Sequence, residues 1–208
     1  MFRFCNLFFL FLLVTVIPTQ AISTESVIHR FSNTTVQSNA SGLMIEHDMN
    51  GVEMNTVQLD NESFTAVSMP DEGLTYQEGM PVLPMVSRFV IVPHTAGIEL
   101  IFTASDPIRI EANHPPVICN DEDFYPQSHQ VNLNPIGLYP NKIAEMSEPT
   151  IIRGVRLVKI TTYPIQYDAS TNSFLHYENI QTELKFNDAE PINPVQFTDR
   201  RGRRRDFA

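Results

Sequence analysis

Two side chains in the middle of the chain have the types that nucleophilic catalysis uses: Cys119 and, five residues before it, His114. A thiolate generated beside an imidazole attacks carbonyl carbon. The local sequence argues against that use. His114 precedes Pro115-Pro116, which imposes extended backbone, and Cys119 follows the apolar Val117-Ile118. In that setting Cys119 reads as a small buried hydrophobe. Asp121-Glu122-Asp123 offers oxygen ligands of the kind calcium takes, but it lacks the spaced D-x-D-x-D-G ladder and reads as a solvated acidic loop. His29, His47, His94, His114, His129 and His176 are scattered, with no helical i, i+4 pair. CxxC, HExxH, GxSxG and Gly-rich phosphate loops are all missing. The sequence therefore assigns no catalytic residue, no metal ligands and no cofactor.

The chain has 208 residues, 42% of them apolar and 18% charged. That composition suits one globular domain large enough for a hydrophobic core and excludes disordered or fibrous classes. The net charge of −10 conceals a split. Ile22–Thr198 carries 22 acidic and 8 basic residues, whereas Asp199–Ala208 carries five Arg and two Asp. An acidic body repels phosphate backbones and anionic lipid surfaces, so no nucleic-acid partner is expected.

Met1–Ala21 has the layout of a secretory signal peptide. Arg3 supplies the positive end, Leu7–Ile17 the apolar stretch, and Thr19-Gln20-Ala21 a small-residue cleavage site after Ala21. The apolar run is short of the ~20 residues that a stable membrane span needs. The expected location is secreted, extracellular or cell-surface. Removal of the peptide leaves Cys119 as the sole cysteine, so no internal disulfide can form.

Residues 22–42, rich in Ser, Thr and Asn, read as a flexible N-terminal arm. Three N-x-S/T triplets begin at Asn33, Asn39 and Asn61. From Leu43 the pattern is strand-like. Phe89-Val90-Ile91-Val92 is an unbroken apolar run that predicts a strand covered on both faces. Ile180, Thr182, Leu184 and Phe186 alternate with Gln181, Glu183 and Lys185, which predicts a strand with one face in the core. In Val155–Tyr163 the apolar parity slips by one residue, which predicts a β-bulge. The Pro-rich stretch 114–149 predicts long surface loops with one helical turn near Asn141–Met146. Many short strands and no sustained helical period argue an all-β fold, a β-sandwich with long Pro-rich loops.

Two groups of short motifs carry a resemblance. One is Tyr76-Gln77-Glu78-Gly79-Met80-Pro81-Val82-Leu83-Pro84, running into Ser87–Pro93. The other is Ile152-Arg153-Gly154-Val155-Arg156-Leu157, then Tyr163-Pro164-Ile165-Gln166-Tyr167-Asp168, then Phe174-Leu175-His176-Tyr177. Gly79 permits a turn, Pro81 and Pro84 suit a strand entry, and Tyr163 and Tyr167 can lay their rings on a sheet with hydroxyls toward water. In order and spacing these motifs resemble the N-terminal prodomain (propeptide) of gingipain-type cysteine peptidases, over roughly Leu43–Asn187.

The resemblance implies a secreted, jelly-roll-like sandwich that lies ahead of a caspase-like cysteine peptidase domain, assists its folding and holds it latent. The His-Gly pair of such a peptidase is not in the chain. It also implies that an arginine on a prodomain loop could fill the peptidase's specificity pocket, with Arg153, Arg156 and Arg109 as candidates by residue type. The basic run in the Pro-spaced segment after Pro191 should be exposed, which makes Arg201, Arg203, Arg204 and Arg205 candidate processing residues. The chain thus divides into 1–21 signal peptide, 22–42 arm, 43–190 β-sandwich and 191–208 basic processing segment. The competing reading is a stand-alone structural or adhesive β-sandwich without a peptidase partner.

Overall fold

The structure, a computed structural model, describes residues 27–30, 34–59, 61–119 and 137–196. The signal peptide, the Asp121–Asp123 cluster, Asn33 and Arg201, Arg203, Arg204 and Arg205 lie outside these residues. Regular structure among them is entirely β. In chain order the strands are β1 (Val27–Arg30), β2 (Thr34–Asn39), β3 (Gly42–Asp48), β4 (Glu53–Leu59) and β5 (Glu62–Ser68). Next come β6 (Gly73–Leu74), β7 (Pro84–Ile91), β8 (Gly97–Ala104) and β9 (Ile108–Glu111). They are followed by β10 (Leu138–Tyr139), β11 (Ala144–Met146), β12 (Thr150–Ile152) and β13 (Val155–Thr162). The last are β14 (Ile165–Asp168), β15 (Ser173–His176) and β16 (Asn179–Asn187). No helix of the described residues is long and apolar enough to cross a membrane.

Two antiparallel sheets make the sandwich. One runs β1-β2-β3-β16-β8; the other runs β11-β13-β7-β6, with β12 also paired to β13. Ile45 and Leu184 of the first pack on Val158, Ile160 and Val92 of the second. A third sheet, β10-β14-β15-β9, and the β4-β5 hairpin close a second cluster of Val67, Leu83, Ile165, Tyr167 and Phe174. The expected alternation of β16 is present: Ile180, Thr182 and Leu184 are buried between half-buried Gln181 and Glu183.

Five departures from the sequence reading concern the strands and their packing. Residues 34–39, read as part of a loose arm, are β2, paired along its length with β3. On its other side β2 pairs with β1, and Thr34 bonds buried His47 through Oγ1 and Nδ1 at 3.1 Å. The helical turn expected at Asn141–Met146 is not there; Ala144–Met146 pairs with Thr162–Ile160 instead. Asn141–Met146 is short, and a ladder partner overrides weak helical preference.

The bulge expected within β13 is on its partner. Three residues, 147–149, lie opposite two, 158–159, between the pairs Met146↔Ile160 and Thr150↔Leu157. β13 itself keeps one parity, with Arg156, Val158, Ile160 and Thr162 all buried on the inner face. The apparent slip arises because an inward position holds an arginine. The tyrosine hydroxyls turn to protein acceptors rather than water: Tyr163 donates to Glu145 and Tyr167 to Asn172 Oδ1 at 2.7 Å.

The fifth departure concerns β7. Val86 and Val92 are buried, but Phe89 and Ile91 are 69% and 71% exposed. The strand has the sequence of one covered on both faces, and the described residues cover only one.

Candidate functional site

The surface that these residues form is built on the β12–β13 hairpin. Ile152 pairs with Val155, leaving Arg153 and Gly154 as a two-residue turn with φ of 52° and 80°. Positive φ at both central positions is the type I′ geometry, whose twist matches that of the flanking strands. Gly154 adopts it without steric cost. Arg153 is exposed at the tip.

Below the tip, the outer face of the sheet is apolar. Leu157 lies opposite Ile91 on one side and Thr150 on the other, and Lys159 lies opposite Phe89. Ile152 and Val155 are 52% and 38% exposed. Alternation along β7 and β13 sends Val90, Val92, Val158 and Ile160 into the core and these side chains outward. No amphipathic signal for this surface exists in the sequence. The one readable hint is that the Phe89–Val92 run is more apolar than a half-covered strand requires.

The three candidate arginines part company here. Arg156 points inward and is only 2% exposed. Its Nη1 donates to Pro93 O at 2.5 Å and Ala96 O at 2.9 Å. Its Nε and Nη2 donate to Ile192 O at 3.1 and 2.8 Å. Four bonds to carbonyl oxygens hold a guanidinium that makes no ion pair among the described residues, and burial lowers its pKa. Arg156 is therefore buried in the domain as a clamp rather than displayed at its surface. It ties the loop after β7 to the C-terminal segment.

Arg109 is exposed on β9, where Nη1 donates to Thr171 Oγ1 and Ser173 Oγ, both at 2.7 Å, and lies 4.0 Å from Asp168 Oδ2. Hydrogen bonds from Ser170 and Thr171 hold the Asp168 carboxyl below its usual range. Arg109 thus braces the β14–β15 turn. Only Arg153 stands at a projecting tip.

Cys119 and His114 are held apart. The Cys119 amide donates to Met80 O at 2.9 Å, while the His114 carbonyl accepts from Thr65 Oγ1 at 3.0 Å. The bridges Thr65↔Pro116 and Pro81↔Ile118 keep the intervening chain extended, so five residues span about 16 Å. No group of three or more His, Cys, Asp or Glu side chains among the described residues is arranged to hold a metal ion. Of the Asn-x-Ser/Thr triplets, Asn61 stands exposed on the β4–β5 turn, whereas Asn39 Oδ1 accepts from Ser41 N and Oγ.

Comparison with known proteins gives the chain a family setting. The family model Propeptide_C25 matches residues 27–199. Gingipain R2 of Porphyromonas gingivalis is 29% identical over 154 residues, covering 66% of this chain and 20% of that protein. Lys-gingipain of the same organism is 24% identical over 164 residues, covering 72% and 9%. The chain therefore spans a fifth or less of the length of these relatives. Among solved structures, the complex of P. gingivalis RgpB pro- and mature domains superposes with a TM-score of 0.69 at 20% identity, over 81% of this chain and 93% of that one. A structure concerned with zymogenic latency of gingipain K from P. gingivalis superposes with a TM-score of 0.61 at 20% identity, over 81% and 95%.

Proposed function

The chain belongs to the Propeptide_C25 family, and from that premise we propose that it is the exported pro-region of a gingipain-type cysteine peptidase precursor. In this role it assists folding of the peptidase domain and keeps it latent by covering its active-site cleft. A propeptide domain is not itself the peptidase, which accords with the lack of catalytic motifs in the sequence. The observation that carries the reading is the family match over 173 contiguous residues, 27–199. The fold shared with a prodomain seen in complex with its mature domain supports it.

Within this proposal, Met1–Ala21 is the export signal, cleaved after Ala21. The folded unit begins earlier than Leu43, because β2 and β1 extend the first sheet beyond β3. Arg201, Arg203, Arg204 and Arg205 form the segment cut to release the peptidase. Arg153, rather than Arg109 or Arg156, is the arginine placed to reach a partner.

The test is inhibition in trans. Residues 22–208 are purified and titrated against the separately purified peptidase domain encoded after them. The expected result is stoichiometric inhibition, unchanged by Cys119→Ala, with no peptide hydrolysis by residues 22–208 alone. A peptidase that stays fully active with a molar excess of folded 22–208 overturns the proposal.

A further inference from the structure

We infer that the outer face of β7, β12 and β13, with Arg153 at its rim, is where the domain following in the precursor docks. The inference rests on the pro-region reading and names the surface that performs it. Scattered exposed apolar residues are ordinary on a protein surface, whereas adjacent ones on a sheet mark a contact. Here the register sets Phe89, Ile91, Ile152 and Val155 around half-buried Leu157 on neighbouring strands, so they form one patch.

The path of the chain identifies the occupant. The C-terminal segment is clamped beside this sheet: Ile192 O accepts from Arg156, and Asn193 Nδ2 donates to Pro149 O at 2.9 Å, one residue before β12. The chain therefore leaves the sandwich along the β12 edge of the patch. From Asn193 to Arg205 the contour is at most about 40 Å, so whatever follows is tethered within reach of this face.

Charge argues against a second copy as the occupant. Arg153 and Lys159 put two of the body's eight basic residues at this face, against 22 acidic ones overall. Two copies of so acidic a body repel each other, whereas a partner with an acidic rim is attracted.

The experiment titrates residues 22–208 into the downstream peptidase domain and reads both binding and inhibition. Phe89→Asp combined with Ile91→Asp should weaken binding by roughly 100-fold or more, and Phe102→Asp, on the exposed part of β8, by less than about 3-fold. Ile152→Asp provides a second probe of the patch should the double variant fold poorly; each variant is scored only with its melting temperature preserved. Amide exchange should slow at 89–91 and 150–157 on mixing. Wild-type binding by the patch variants, or protection confined to other strands, overturns the inference. Self-association of 22–208 through the patch, without binding to the peptidase, overturns it too. Binding at this face without inhibition supports the surface and overturns the latency reading.

Discussion

The Arg156 guanidinium is a buried charge held by four hydrogen bonds to backbone carbonyl oxygens. Removing it leaves the oxygens of Pro93, Ala96 and Ile192 without that donor at a partly buried position. Arg156→Ala should cost about 2–4 kcal/mol, read as a lower urea midpoint. Lysine keeps the charge but not the planar fork, so Arg156→Lys should recover only part of that loss. Both variants should speed proteolysis around residues 190–196, because the clamp on Ile192 is gone. Unchanged cleavage there would mean that the segment is held by other contacts.

His47 makes a second prediction at this scale. It is 1% exposed between β2 and the opposing sheet, with Thr34 on one side and the Arg88–Glu72 ion pair nearby. Burial, and then the Arg88 charge, push its pKa down from 6.5 to about 4, with Glu72 opposing. The folded state therefore resists protonation. The stability that His47 contributes is complete above pH 6.5 and is lost as pH falls toward 4, by roughly 3 kcal/mol across that window. His47→Gln should flatten this part of the stability–pH profile. An unaltered acid limb in the variant would show that other groups set it.

At the scale of elements, two glycines separate two kinds of constraint. A Cβ on Gly42 would sit 2.2 Å from Leu184 O, a backbone atom of β16, which is paired on both sides by β3 and β8. Gly42→Ala should cost upward of about 2 kcal/mol, by forcing β3 off β16. Gly154 has open space around it but a φ of 80°. Gly154→Ala should cost only about 1 kcal/mol, the price of a left-handed conformation. Thermal melts of the two variants check the order, and a reversed order would show that the hairpin tip, not the β3–β16 ladder, controls stability.

Strands with an unambiguous alternation were legible in the sequence. β16 could be read because period 2 is a local property. β2 could not, since its Ser-, Thr- and Asn-rich sequence shows little apolar alternation and its pairing with β1 and β3 is not written in any local pattern. The parity of β13 was misread for a related reason: an inward arginine looks like an outward one until its carbonyl partners are known.

At the scale of the whole molecule, the acidic body, the clamped exit and the basic run after Asp199 form one arrangement. Under the pro-region proposal, the sandwich stays with the peptidase through its surface while the covalent link is cut within the basic run. Changing Arg201, Arg203, Arg204 and Arg205 together to Ala should block release of the downstream domain while leaving the fold unchanged, as followed by gel mobility and N-terminal sequencing of the products. Release at the normal rate and position would remove these residues from the processing role.

The sequence by itself determined the class of the fold, the family resemblance and the emptiness of the catalytic search, because strand alternation, turn residues and motif spacing are written in consecutive residues. It also marked the arginines as a group. Only the tertiary structure decided which of them faces outward. The burial of Arg156 depends on oxygens from Pro93, Ala96 and Ile192, up to 63 residues away in the chain. The bare face of Phe89 and Ile91 likewise depends on which sheets stack, and no local pattern records that.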